Sequence, residues 1–401
     1  MIPYCQNIHR TETLAEVYAA LERYACAVKA RVAPDAPYPV GLRLSSAAAD
    51  ELADMEADEL AKVEAIERFM AFLDERQLSV TGVNGFPYGA FHGRPVKAAV
   101  YQPDWSTLER FKYTLNLSTV LGCLLPKGEV GSITTVPLAY QSATLDETKL
   151  RMYVRQITMT ALHLDTLLRE DGDHIVLALE PEPDCMLEDT DTFIAWFENE
   201  LLVEGKRWLC ANRRRTPEEA EEILRRHIGI CVDTCHFALA FESPLAALRR
   251  IERAGIRVAR VQLSAAIRAT VSDESLAALA AFVEPVYLHQ TRAGDLRRGS
   301  LARYPDLTAE TLEALKAHTG REVRTHFHVP LFWEGSHALG TTHGDLSPEF
   351  FAHVTAQGYP LEIETYTFDV LPAELRAGDV VEHLVRETTW AMDRIKGVTT
   401  A

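Results

Sequence analysis

The sequence predicts an α/β chain that closes into a (β/α)8 barrel. Three observations carry this. Eight short β-type runs alternate with longer amphipathic stretches along the 401 residues, the order that builds a parallel sheet with right-handed crossovers. Three of those runs finish in a carboxylate, and functional groups of barrels gather where strands end. No Gly-x-Gly-x-x-Gly follows a strand, and no Gly-x-x-x-x-Gly-Lys-Ser/Thr is present. The structural alternative, an open doubly wound sheet, therefore lacks its nucleotide-binding signature.

The elements follow in order. A first strand is read over Ile2–Ile8 and a second over Val40–Leu44, with an amphipathic helix over Glu12–Ala30 between them. A helix over Leu52–Gln77 leads into the strand Leu78–Asn84. The strand Ser132–Pro137 is followed by a helix over Leu145–Arg169 and the strand His174–Pro181. Ahead of Ile228–Asp233, Thr216-Pro217-Glu218-Glu219 marks a helix start: a cap, a first-turn proline and an acid three residues after the cap. A helix over Leu245–Ala254 precedes the strand Val258–Ser264. Ser347-Pro348-Glu349 opens the helix before the last strand, Leu361–Thr365. Between Ser264 and Tyr359 the chain spends more residues than one crossover needs, and it includes the apolar runs Val286–His289 and Val323–Val329. Residues 265–359 are therefore expected to form an inserted hairpin or lid over the barrel mouth, within one domain spanning 1–401.

Composition narrows the function. A 47% hydrophobic content supports a large core, while a formal charge of −17 opposes a nucleic-acid backbone. Met1–Arg10 lacks the charged and apolar regions of a signal peptide. No apolar run approaches the roughly 18 residues of a membrane span. A cytoplasmic protein with no nucleic-acid partner is expected. The seven cysteines are odd in number and scattered, which predicts free thiols.

The strand ends carry the chemistry. In Leu361-Glu362-Ile363-Glu364 the acids face one way and the aliphatics the other. Glu180 and Glu182 end a similar run, and Asp233 ends a third, with His236 three residues on. A buried acid is costly unless it is paired or bound to a cation; three, with histidines nearby, read as a metal centre at a barrel mouth. Glu180 and Glu364 are the first choices, with Glu182 and Glu362 supporting them. His326 and His328 share parity on an extended run, and His289 is a further imidazole. Carboxylates with imidazoles suit manganese, zinc, iron or cobalt better than calcium. Taken singly, each acid pair also reads as a rim salt bridge and His-x-His as a structural or surface pair. His9, Asn84 and His92 lie at or after early strand ends, and the aromatic, glycine-rich loop Asn84–His92 suits the wall of a polar pocket. Arg43 is placed to hold an anionic group or an internal salt bridge. No Gly-x-Ser-x-Gly supplies a nucleophilic serine.

These residues resemble the xylose-isomerase-like TIM-barrel superfamily, which includes sugar-phosphate isomerases and epimerases and the endonuclease IV group. Leu-Glu-Pro at Glu180, Asp-Thr-Cys-His at Asp233 and His236, and Ile-Glu-Thr at Glu364 match its fifth, sixth and eighth strands. At the seventh, Gln262 stands where that pattern has His. The endonuclease Asp-x-His becomes His326-Phe327-His328, which with the acidic charge speaks against DNA repair. More narrowly, the chain resembles the EboE group of metabolite-traffic proteins through Tyr4–His9, Asn84–His92, Val100–Trp105, Leu179–Cys185, Tyr287–Gln290 and His326–Pro330.

The resemblance implies a divalent metal ion (Mn, Zn, Fe or Co) held by Glu180, Asp233 and Glu364, with Gln262, His289, His326 or His328 completing the shell. Glu180 and Glu364 would exchange a proton with substrate. His9, Arg43, Asn84, His92, Glu182, His236 and Glu362 would hold a small polyhydroxylated, sugar- or cyclitol-like metabolite undergoing isomerisation or epimerisation. A place in metabolite biosynthesis or traffic, with partner proteins of the same pathway, is implied too. Two alternatives stand beside this: a non-catalytic metabolite-binding or partner protein on the same barrel, and a metal-assisted phosphoester hydrolase.

Overall fold

Alternation of strand and helix is what the chain adopts. The computed structural model describes residues 1–53, 59–140, 147–295, 300–376 and 378–399. The expected helical residues 54–58 and 145–146 lie outside them. Six strands, β1 (Tyr38–Arg43), β2 (Leu78–Asn84), β3 (Val130–Thr135), β4 (His174–Leu179), β5 (Ile228–Asp233) and β6 (Arg257–Leu263), lead to a second sheet. That sheet holds β7 (Ile267–Thr270), β8 (Thr291–Asp295), β9 (Ser300–Tyr304), β10 (Glu322–Thr325) and β11 (Gly340–Thr341), and the chain then returns as β12 (Leu361–Ile363). The first sheet runs β1-β2-β3-β4-β5-β6-β12, parallel throughout. The second runs β11-β7-β10-β8-β9, antiparallel throughout. No helix among the described residues is long and apolar enough to cross a membrane.

The expected strand Ile2–Ile8 is much shorter. Only Tyr4 and Cys5 bridge, to Ile363 and Gly41, and they close the gap between β12 and β1. Pro3 has no N–H to offer, and from Gln6 to Ile8 the chain turns as a 3-10 helix. That turn lifts Asn7 over the barrel mouth. The helix read over Glu12–Ala30 runs from Leu14 to Val32 with a π segment at Leu21–Ala25. Its start is a capping box of Thr13 and Glu16. Thr216 and Glu219 form the same device ahead of Pro217–His227, and the Ser347 hydroxyl accepts from Phe350 N at 3.3 Å.

Charge sits inside the barrel as well as apolar packing. Arg260, buried on β6, donates to Glu362 Oε2 at 2.9 Å and to Ser132 Oγ at 2.9 and 3.2 Å. Glycines on β1 and β2 make room for it. A Cβ at Gly82 would stand 1.3 Å from Arg260 Nη2, and one at Gly41 would stand 1.7 Å from Glu362 Oε1. This pair plugs the barrel below its mouth.

A candidate metal centre at the barrel mouth

Three strand ends deliver carboxylates to one place. Glu180 continues the ladder past β4 by donating its N–H to Thr135 O, and Pro181 then ends it for want of a donor. Asp233 closes β5 and caps the helix Thr234–Leu239: its Oδ1 accepts from Cys235 N, His236 N and Ser264 Oγ at 2.8, 3.1 and 2.6 Å. Its Oδ2 is buried without a hydrogen-bond partner, as is Glu180 Oε2. Glu364 follows β12, its N–H on Leu263 O, and Asn7 Nδ2 donates to its Oε1. Glu182, a turn beyond Glu180, accepts from the Tyr101 hydroxyl at 2.7 Å.

Two imidazoles arrive from the second sheet. After β10 the chain crosses the mouth extended, held by Val329 N on Ala265 O and by Thr367 Oγ1 on His328 O. His236 lies 3.8 Å from Glu180 Oε1, and His326 lies 3.7 Å from Glu182 Oε1. Ligand atoms of Glu182, His236 and His326 all lie within 4.8 Å of one another. So do those of Asp233, His236 and His328, and those of Cys235, His326 and His328.

The ring protons can be assigned from their partners. Nδ1 of His236 faces Pro181 O at 3.0 Å, Nδ1 of His328 faces Glu364 O at 2.8 Å, and Nδ1 of His326 faces Gln290 Oε1 at 2.7 Å. Each partner only accepts, so each Nδ1 carries the proton and each Nε2 is a bare lone pair. His326 Nε2 and His328 Nε2 stand 3.2 Å apart. Two lone pairs at that distance repel unless a cation lies between them. Donors sharing a small first-row ion, with bonds of about 2.0–2.1 Å, are spaced about 2.9–3.4 Å apart. The orphaned carboxylate oxygens and the pinned imidazoles fit a divalent cation.

The electrostatics agree. Burial, then the charges of Asp233, Glu364 and Glu182, pushes the Glu180 carboxyl well up. Burial, then Glu362 and Asp233, does the same to Glu364. Burial raises Glu182 to about 8 against the opposing Tyr101 hydrogen bond. Burial also lowers His236 to about 4 and holds His326 and His328 below the ordinary range. Acids pushed up and imidazoles pushed down are groups a bound cation would return to their ligating forms.

Above this floor lies a cavity of ≈ 50 Å³, with Asn7 and Asn84 at its side and Phe86, Phe91, Val100 and Tyr366 among its apolar walls. The structure thus gathers Glu180, Glu182, Asp233, His236, His326, His328 and Glu364, and it sets Asn84 on the wall.

The other expected residues are placed elsewhere. His289 was expected as a ligand, but its Nδ1 is 2.7 Å from His326 O and its Nε2 is 2.7 Å from Glu284 Oε1, so neither nitrogen is free. Gln262 is tied to its neighbours: its amide accepts from Cys231 Sγ at 3.1 Å and donates to Glu364 Oε2 at 3.4 Å. Glu362 pairs with Arg260 through Oε2, while its Oε1 has no hydrogen-bond partner and a carboxylate oxygen lies within 4.8 Å of ligand atoms of Cys5 and Glu364. Arg43 is spent on Thr11 Oγ1 and Gly89 O. His9 bonds Tyr4 Oη at 3.0 Å and stacks on Tyr24, lining a different groove. His92 bonds Asn7 O and Tyr287 Oη, bracing Asn7 from behind.

Sequence reasoning missed Asn7, Tyr101, Gln290 and Tyr366. Asn7 and Gln290 sit inside stretches that carried the family resemblance, which was the available signal. Tyr101 lies inside another of those stretches, Val100–Trp105, at the end of a 3-10 helix, whereas Tyr366 follows β12 in a turn whose path no spacing rule fixes.

No protein-family model matches the sequence and no curated protein matches it significantly. Among solved structures the chain is similar to a xylose isomerase-like TIM barrel protein from Mycobacterium smegmatis in complex with magnesium. The TM-score is 0.50 at 9% identity, covering 99% of this chain and 98% of that one. This establishes the barrel fold. An IolI protein with a bound zinc atom gives 0.46 at 10% identity, covering 99% of both chains. The 3-keto-D-glucoside 4-epimerase YcjR from E. coli gives 0.36 at 13%, covering 90% of this chain and 100% of that one.

Proposed function

We propose that this protein is a divalent-metal-dependent isomerase or epimerase of a small sugar- or cyclitol-like metabolite. The observation that carries the reading is the set of three imidazoles pinned through Nδ1, with bare Nε2 atoms meeting buried, unpartnered carboxylate oxygens. Asp233, His236, His326 and His328 would hold the cation, with Glu180 or Glu364 added. That a barrel of the same fold is found in complex with magnesium supports the choice of a divalent cation. A cation there would polarise a substrate carbonyl and its neighbouring hydroxyl.

The chain's own carboxyls then handle the proton. Glu180 and Glu364 leave strands that have β5 and β6 between them, so they reach the cavity from different directions. One, ionised, takes the proton from the carbon beside the carbonyl, and the C–H electron pair moves into an enediolate. The other, protonated, returns a proton to the opposite face of the same carbon (epimerisation), or to the adjacent carbon while the hydroxyl proton passes from one oxygen to the other (isomerisation), so each balance is redox-neutral. Asn7 fixes Glu364 through Oε1, and its own Oδ1, buried and unpartnered, is available to a substrate hydroxyl. Phe86, Phe91 and Tyr366 exclude water. Membership of the EboE group, and with it a place in making or moving a metabolite, is the finer part of this proposal.

A binding role without catalysis is the second reading, and Gln262 favours it: an amide replaces an imidazole and is tied to Cys231. Elemental analysis of the purified protein beside Asp233→Ala/Glu364→Ala separates the two. About one transition metal per chain, lost in the variant, followed by turnover in a ketose and cyclitol screen, supports the isomerase. Absence of metal in both, after reconstitution, refutes it and leaves the binding role.

A further inference from the structure

His236 and His328 take their orientation from backbone carbonyls, but His326 takes its from a side chain. Gln290 is fully buried immediately before β8, beside His326, whose N–H donates to Gln290 O at 2.8 Å. Its amide can face only one way. Nε2 donates to Pro183 O at 3.1 Å, which only accepts, and to Tyr101 Oη at 3.0 Å. The Tyr101 proton is committed to Glu182 Oε1. Oε1 of Gln290 is thereby aimed at His326 Nδ1, 2.7 Å away.

We infer that Gln290 is a positioning residue of the metal centre, which keeps His326 in its Nδ1–H tautomer so that Nε2 is free to ligate. The inference rests on reading the site as a cation centre and adds a residue that touches neither cation nor substrate. An amide oxygen accepts only, so the proton is excluded from Nε2 for as long as Gln290 keeps its hold on Pro183 O. Without that acceptor, Glu182 Oε1 stands 3.7 Å from Nδ1, too far for a hydrogen bond. The ring can then carry its proton on Nε2, and a ligand is lost. The chain Glu182–Tyr101–Gln290–His326 also joins the loop after β2 to the second sheet through a single run of directed hydrogen bonds.

The test titrates metal-free protein with Co2+, reading affinity by chelator competition and coordination by the visible d–d bands. Wild type is compared with Gln290→Leu, Gln290→Glu and His326→Ala. Gln290→Leu is expected to weaken Co2+ binding about 10–100-fold and to shift the bands toward those of His326→Ala. Gln290→Glu, which retains an acceptor, is expected to keep the wild-type bands. If Gln290→Leu binds with wild-type affinity and bands while His326→Ala does not, the role of Gln290 is refuted and the cation centre stands. If wild type binds no Co2+, both fall. Should Gln290→Leu fail to fold, the 15N spectrum of histidine-labelled, metal-free wild type decides: His326 protonated on Nδ1 is expected, and protonation on Nε2 overturns the inference.

Discussion

The ion pair inside the barrel gives a prediction that separates architecture from chemistry. Arg260 and Glu362 are both nearly inaccessible and 2.9 Å apart. The guanidinium has Ser132 Oγ and O as its other partners, and it occupies the space that a Cβ at Gly82 would take. Replacing Glu362 by Leu strands a positive charge in the core, and breaking one side of a buried pair costs about 3–5 kcal/mol. Arg260→Met strands the carboxylate and should cost a similar amount. Replacing both by apolar groups of like volume removes both desolvation terms, so the double variant should lie within about 2 kcal/mol of wild type. Equilibrium urea unfolding of the four proteins measures this, and the signature is strong non-additivity. Singles costing under about 1 kcal/mol, or singles that simply add, would refute the reasoning. Metal content provides the second arm: folded Glu362→Leu should hold as much metal as wild type, and loss of the ion would return Glu362 to the site.

Three further outcomes are expected. Glu387, fully buried, accepts from Leu331 N and Thr365 Oγ1 through Oε1, while its Oε2 has no hydrogen-bond partner and lies 3.7 Å from the buried His383 Nε2, whose imidazole burial holds low, at about 4. Burial lifts it from an ordinary 4.5 to about 7. Because the folded value is the raised one, its contribution to stability is complete below pH 4.5 and is lost as pH rises through about 7. At about 1.4 kcal/mol per pH unit this amounts to about 3 kcal/mol. Glu387→Gln should match wild type near pH 5 and exceed it by about that amount at pH 8.5; equal stability at both ends of a urea series would contradict this. Glu364→Gln should lower turnover of whichever ketose or cyclitol the screen finds by at least about 100-fold without unfolding, and unchanged turnover would sink its assignment. Chelation of metal-replete protein should raise amide exchange in residues 326–329 more than in β3, by about 100-fold where free metal had stood at 100 times its Kd. A uniform rise would argue against ligation from that segment.

Much of this architecture is legible in the residues, and the failures have identifiable causes. Leu78–Asn84 and Ile228–Asp233 are read to the residue because each is an apolar run bounded by a helix-ending or helix-starting signal. Ile2–Ile8 has the same apolar look, but its pairing surface is only the gap between β12 and β1, two residues long. Strand parity correctly sends Glu362 and Glu364 inward yet cannot say which of two inward layers reaches the mouth. The deciding residue is on the neighbouring strand: Arg260 shares parity with Gln262, and its charge claims Glu362 for the lower layer. His289 fails differently. It is buried beside the centre, but the acid five residues earlier, Glu284, takes the nitrogen that would have ligated.

Gln262 and the second sheet belong to one argument. At the strand end where the family pattern has an imidazole, β6 supplies an amide, and that amide spends its donor on Glu364. A barrel limited to its own strands would then offer the carboxylates of Glu180, Glu182, Asp233 and Glu364, and the imidazole of His236 alone. The extended crossing after β10 adds two imidazoles from the opposite side, each held in its ligating tautomer, one by the Glu364 carbonyl and one by Gln290. The donor set is thereby divided between two sheets, which are also joined by ion pairs such as Arg292–Asp184 and Arg303–Glu188. Any cation bound there adds its binding free energy to the docking of the second sheet, because a ligand that favours the assembled state stabilises it. With a cation bound, the centre would act as a structural joint, and substitutions that loosen the second sheet should then weaken metal binding without touching a ligand.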